Sequence, residues 1–192
     1  MTSKAKKNVK EEVVQAALAL AVERGWAQAS LRDVSERAGL SLGELHEHFD
    51  DKSDILVALG RMIDRQVLEN IGEGEEGASK RDRLFDVLME RYEVLNNYRD
   101  GVSAVLDSFL CDPKQAVISL PHLARSMSWM LEAAGMETGG IKGAVKVAGL
   151  TGVYLKVLKT WKDDDSADLS KTMAALDKTL NRVDSLAGIC GF

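Results

Sequence analysis

SLRDVSERAGLSLGELHEHFDDK, residues Ser30 to Lys52, reads as two short helices joined by a tight turn and followed by the start of a third. Ser30 is a favoured N-cap residue, and Asp33 stands three positions later, where a reciprocal capping partner sits. Leu31, Val34 and Ala38 recur at helical spacing, and Gly39 ends the run as a glycine C-cap does. Ser41 opens a second helix whose Leu42, Leu45 and Phe49 share one face, leaving Glu44, Glu47 and His48 toward solvent. Two helices joined in this way form a helix-turn-helix, whose second helix can enter a DNA major groove. The same spacing serves an ordinary αα-hairpin, so on spacing alone both readings stand.

On the N-terminal side, Val9, Val13, Ala17, Leu20 and Ala21 form one apolar stripe, which predicts a helix from about residue 9 that covers the two beyond it. Gly25 ends it and Trp26 plugs the core. Lys4, Lys6, Lys7 and Lys10 make a +4 arm without an acid, suited to phosphates or a minor groove and equally to a solvated terminus. On the C-terminal side, Asp50 or Ser53 is expected to cap a long helix carrying Leu56, Leu59, Ile63, Val67 and Ile71. The glycine- and glutamate-rich run from Gly72 to Gly77 then breaks the pattern.

The whole chain has 192 residues, is 45% hydrophobic and only 5% aromatic, and holds two prolines, a composition that favours an all-α fold. Cys111 and Cys190 lack metal-ligand spacing, and the three histidines form no ligand pair with a cysteine. Neither a phosphate-binding glycine loop nor a nucleophile elbow follows a strand, so no catalytic set, metal or cofactor is expected and the protein is read as a non-enzyme. No signal peptide and no long apolar run occur, which implies a cytoplasmic protein with reduced thiols and no integral membrane association.

Beyond Ser79 the pattern is of a second helical domain. Phe85, Leu88, Tyr92 and Leu95 mark one amphipathic helix, and Val102, Val105 and Leu106 through Phe109 a shorter one. Pro113 and Pro121 are expected to bracket a turn, followed by a helix with Leu123, Met127, Trp129, Met130 and Leu131 that ends at Gly135. Phe85, Tyr92, Phe109, Met127 and Met130 suit an adaptable apolar pocket or an ordinary core, with no convergent polar set to mark a ligand's head group. Ala144, Ala148 and Gly152 repeat every four residues and allow close helix approach. Leu169, Met173, Leu176, Leu180, Val183 and Ala187 form a heptad seam, which pairs two copies of the chain or docks within one.

Gly25-Trp26, Ala29 through Val34, Ala38 through Ser41, Gly43, Leu45, His48-Phe49, Lys52 and Ile55-Leu56 together resemble the N-terminal DNA-binding domain of TetR-family transcriptional regulators, over roughly residues 8 to 58. The resemblance implies a three-helix head at residues 1–52 and a helical ligand-binding and dimerisation domain at 53–192, about nine helices in all. It implies a two-fold dimer built on the last two helices, through Ala144, Ala148, Gly152, Leu169, Met173, Leu176, Leu180 and Val183, that binds a palindromic double-stranded operator. Carried over residue by residue, Ser30, Arg32 and Lys52 are phosphate anchors, Ser41 starts the recognition helix, and Gly43 allows close backbone approach. Glu44, His46 and His48 then face the groove. Where the family generally has a tyrosine this chain has His46, and between Ser30 and Asp54 three cations stand against seven acids, a local net charge of −4 on a chain whose total is −5. A recognition-helix glutamate can accept from cytosine N4, but acids near phosphate oppose counterion release.

A looser similarity joins Met89 to Leu95, Trp129, Ala134-Gly135, Gly152 to Tyr154, Trp161, Asp164, Asp168 and Thr172 to Asp177 with the lipid-binding accessory protein of coenzyme Q biosynthesis, which shares the TetR fold. Two functions follow from the two resemblances. One is a regulator, in the repressor sense, whose operator binding is released by a small apolar or lipid-like ligand. The alternative is a lipid-binding accessory protein that has kept the fold and binds no DNA.

Overall fold

A computed structural model describes residues 9–72, 77–111 and 113–190. Lys4, Lys6 and Lys7, the loop residues 73–76 and the side chains of Cys111, Ala187 and Cys190 lie outside what is described. The described residues form nine helices and no strand: α1 Val9–Arg24, α2 Leu31–Ala38, α3 Leu42–His46, α4 Lys52–Asn70, α5 Lys80–Asn96, α6 Arg99–Cys111, α7 Pro113–Ala133, α8 Gly140–Lys162 and α9 Ser170–Cys190. The all-α, TetR-like expectation of about nine helices is met.

Two compact units divide the chain. The first takes residues up to 62 together with 98–120, and the second takes 63–97 with everything from 121 onward. Residue 52, the expected end of the head, is the first residue of α4, and α4 itself runs on into the second unit.

In the first unit, α1 buries Val13, Val14, Ala16, Ala17, Leu18, Leu20 and Ala21, a wider face than the stripe the sequence suggests, because the helix packs on both α2 and α6. The second contact depends on Gly101, where an added Cβ would lie 2.6 Å from the Cβ of Leu18. Trp26, Val34, Leu45, Phe49, Ile55 and Leu59 complete the core, each at most 7% exposed. The cap of α4 differs from expectation. Asp51, rather than Asp50 or Ser53, accepts from the backbone N–H groups of Ser53 (2.7 Å) and Asp54 (3.1 Å). Asp54 answers by accepting from the N–H of Asp50 at 2.9 Å, so the two carboxylates satisfy the helix start reciprocally.

In the second unit, α9 packs on α8 and α5 around Leu88, Tyr92, Met127, Met130, Val157, Trp161 and Leu176, all fully buried. Arg81 of α5 ties to Asp177 of α9 and donates to Asn181 Oδ1 at 2.9 Å. Asp164, 1% exposed, accepts from the Thr172 N–H and hydroxyl, both at 2.7 Å, and from Ser166, and so closes the corner between α8 and α9. Burial pushes that carboxyl up, yet the hydrogen bonds from Ser166 and Thr172 together outweigh it and hold the group far below the usual aspartate value.

The turn expected between Pro113 and Pro121 is helix instead. Pro113 occupies the first position of α7, where its missing N–H and fixed φ do no harm, and Pro121 lies inside the same helix at the loss of one backbone hydrogen bond.

Candidate nucleic-acid interface

The head is held by two capping boxes in succession. Ser30 Oγ accepts the N–H of Asp33 at 3.1 Å, and Asp33 Oδ2 accepts the N–H of Ser30 at 2.9 Å. These bonds from Ser30, with help from the Arg24 guanidinium at 3.0 Å, hold the Asp33 carboxyl below its ordinary value. Gly39 then ends α2 at φ 69°, a left-handed conformation that a side chain would strain, with its N–H on Glu36 O and the N–H of Leu40 on Ser35 O at 2.9 Å. Ser41 repeats the arrangement at the start of α3. Its Oγ accepts the N–H of Glu44 at 3.2 Å, while Glu44 Oε2 accepts from the Ser41 N–H and hydroxyl, both at 2.8 Å.

This second box changes the reading of Glu44. Expected to face a groove, its carboxylate is folded back onto the N-terminus of α3, where the bonds from Ser41 lower its pKa. Helix α3 is only five residues long, and Leu42, expected on the inner face with Leu45 and Phe49, is 42% exposed while those two are buried. The short helix cannot turn all three inward at once. Leu42, Gly43, Glu44, His46, Glu47 and His48 are all exposed.

Lys52 is a correction as well. Assigned as a phosphate anchor, its ammonium points inward, donating to Trp26 O at 2.7 Å and Ala29 O at 3.0 Å with the Trp26 ring centroid 4.7 Å away. Burial pulls its pKa below the ordinary lysine value. Its work is to satisfy the carbonyls of the turn between α1 and α2. Arg37 is exposed and paired with Glu23, and Arg32 is exposed and in no ion pair among the described residues.

The second unit places the remaining candidates. Tyr92, Met127 and Met130 are each fully buried in the second unit, Phe85 is half-buried beside the Arg81 guanidinium, and Phe109 belongs to the first unit. Of the expected dimer residues, Ala144, Ala148, Gly152, Met173 and Val183 are exposed, whereas Leu169, just before α9, and Leu176 and Leu180 within it are buried inside the monomer. Ile141, Val145 and Leu155 join the exposed face of α8, at 86%, 52% and 40% exposure.

A polar cluster that the sequence reading lacked lies beside the stacked rings of Tyr92 and Tyr154. Arg91 of α5, 3% exposed, is paired with Asp64 of α4, and Ser126 of α7 donates to the same Asp64 oxygen at 2.6 Å. The guanidinium sits 5.2 Å from the Tyr154 ring centroid, and that ring stacks on Tyr92 at 5.1 Å. The sequence carried one signal of it: Arg91 occupies a position of the apolar stripe Leu84, Leu88, Leu95. Among the described residues no group of His, Cys, Asp and Glu is arranged to hold a metal, and no helix is long and apolar enough to cross a membrane.

Residues 13–59 match the family model of bacterial regulatory proteins, tetR family. Over 163 residues the chain is 24% identical to the HTH-type transcriptional repressor KstR of Rhodococcus jostii, covering 84% of this chain and 76% of that one. It is 30% identical over 89 residues, 46% of each chain, to the HTH-type transcriptional repressor AcnR of Corynebacterium efficiens. In fold it is similar to the crystal structure of a TetR transcriptional regulator from Nitrosomonas europaea, with a TM-score of 0.69 at 22% identity, covering 90% of this chain and 96% of that one. The likeness to the coenzyme Q accessory protein has no counterpart among these relatives.

Proposed function

We propose that this chain is a DNA-binding transcriptional regulator of TetR type, a homodimeric repressor whose hold on a palindromic operator is released when a small apolar ligand enters residues 53–192. The observation that carries the reading is the doubly capped helix-turn-helix. Two capping boxes and a left-handed glycine fix α2 and α3 against each other without help from a partner, so their outward residues are preorganised. Ser30 and Arg32 take the phosphate contacts at the start of α2. Gly43 lets the backbone of α3 approach, His46 and His48 face base edges, and Lys52 supports them from behind. Ser41 and Glu44 hold the start of α3. Relatives named as repressors support the direction of regulation.

Dimerisation through α8 and α9 covers the exposed Ala144, Ala148, Gly152, Met173 and Val183 together with Ile141, Val145 and Leu155. Helix α4, which starts in the head unit and continues into the second, is the element through which ligand and operator compete.

The test is binding of the purified protein to DNA from its own upstream region at low and at moderate salt. Retention of a palindrome at low salt, with affinity falling steeply as salt rises, supports the reading. No palindrome retained at low salt would sink it, and an apolar lipid co-purifying with a protein that binds no operator would favour the accessory-protein alternative.

A further inference from the structure

Arg91 is a buried cation whose donors are not all used. Of its guanidinium nitrogens, Nη1 serves Asp64, while Nε is buried and has no acceptor among the described residues. One helical turn before Ser126 on the same face of α7, His122 carries a second such atom, its Nδ1, also buried and unpartnered among the described residues. Buried polar atoms without partners are rare because each forfeits its hydration without return. Arg91 and Ser126 meet at Asp64, His122 stands one turn before Ser126 on α7, and the buried Tyr92 ring stacks on the Tyr154 ring that Arg91 faces. An apolar surround with a few converging polar groups is the composition of a small-molecule site.

We propose that Arg91, with His122 and Ser126, is the head-group subsite for an apolar ligand bearing a carboxylate, and that such a ligand binds by taking the guanidinium from Asp64. This rests on the reading that the C-terminal unit takes an apolar ligand. The chemistry selects an oxyanion: a planar guanidinium offers paired donors that match a carboxylate, and an imidazole N–H and a hydroxyl add two more. A neutral ester or alcohol accepts fewer of these bonds and leaves the buried charge where it was.

Displacement also supplies the regulation. Asp64 lies on α4, and a carboxylate that has lost its cation cannot remain buried without a large penalty. Once the ligand holds Arg91, Asp64, whose side chain is already 13% exposed, gains by fuller hydration, which favours a shift of the part of α4 that carries it. The same continuous helix begins at Lys52, whose ammonium anchors the turn between α1 and α2. Ligand and α4 thus compete for one cation, which is a differential contact of the kind allostery requires.

Dodecanoate, methyl dodecanoate and dodecanol, titrated calorimetrically into the full-length protein below their aggregation limits, test this. Wild type is expected to bind dodecanoate at least tenfold more tightly than the ester or the alcohol. Arg91→Met is expected to erase that preference, and Asp64→Asn, which frees the guanidinium, to tighten dodecanoate binding by about tenfold. Ser126→Ala, which loosens Asp64 by one hydrogen bond, serves in place of Asp64→Asn should that variant fail to fold, with a smaller gain expected. Opposite movement of the two sides of the pair is the signature, because a purely structural ion pair would lose binding on removal of either partner. Equal binding of dodecanoate and its ester by wild type overturns the subsite and leaves the apolar-ligand reading standing. Binding of none of the three overturns the subsite, and the apolar-ligand reading then falls only if apolar molecules without a carboxylate also fail to displace the operator.

Discussion

The ammonium of Lys52 sits between two backbone carbonyls and an indole, a position that only a long, flexible cation reaches. Its removal leaves the carbonyls of Trp26 and Ala29 without those donors, so Lys52→Met is expected to destabilise the protein by about 2–3 kcal/mol, measured by urea unfolding. Asp164 makes a second residue-scale test. Its folded pKa is depressed, so its stabilisation is present above the ordinary aspartate value and is lost as pH falls toward the folded one. Asp164→Asn is expected to cost about 2–4 kcal/mol at neutral pH, and the gap to wild type should close as pH drops below about 4. A gap of constant size down to strongly acid pH would count against the ionic origin of these bonds. Arg91 shows where residue-scale reading stops: a charge on an apolar stripe is visible in the sequence, but its partners Asp64 and Ser126 come from other helices, and only the fold brings them together.

At the scale of elements, the caps were legible because they are local. Ser30 with Asp33 and the glycine after α2 are each read within four residues, and the structure forms them as expected. Glu44 shows the limit of local spacing: its separation from Ser41 fits both a cap and an outward side chain, and the exposed residue makes the cap's hydrogen bonds. Glu47, exposed and uncommitted to the cap, is then the cleaner target. Glu47→Lys changes the net charge of the stretch from Ser30 to Asp54 from −4 to −2 and is expected to tighten operator binding and steepen its salt dependence, measured by anisotropy over a salt series. Gly43 separates fold from function on the same helix. An added Cβ meets nothing nearer than Ser41 Oγ at 3.9 Å, so Gly43→Ala should raise stability by about 0.5–1 kcal/mol. If the backbone of α3 approaches DNA closely, the same change should weaken operator binding by about tenfold, roughly 1.4 kcal/mol. Pro121 illustrates a different limit, since proline within a helix is disfavoured locally and α7 accepts it all the same.

For the whole molecule, the all-α class followed from few prolines, few aromatics and helical periodicity, and it holds. The seam on α9 was legible as apolar spacing but not as an address: Leu176 and Leu180 pack inside the monomer while Met173 and Val183 stay outside, and spacing does not distinguish the two. Ala148→Glu tests the proposed assignment, because the site is exposed and the protomer should keep its helicity while the dimer dissociates, measured by sedimentation and circular dichroism. An unchanged sedimentation coefficient would move the interface elsewhere.

The open face of α8, with Ile141, Val145 and Leu155 in solvent, has a consequence in mass action. If two copies cover it, melting temperature rises with protein concentration, as it does for any fold that binds its own partner. Below the dissociation constant the number of pairs grows as the square of the number of protomers, so halving the supply of chain removes three quarters of the pairs. A dimeric regulator built this way would answer to its own abundance, so that dilution alone lowers the number of pairs.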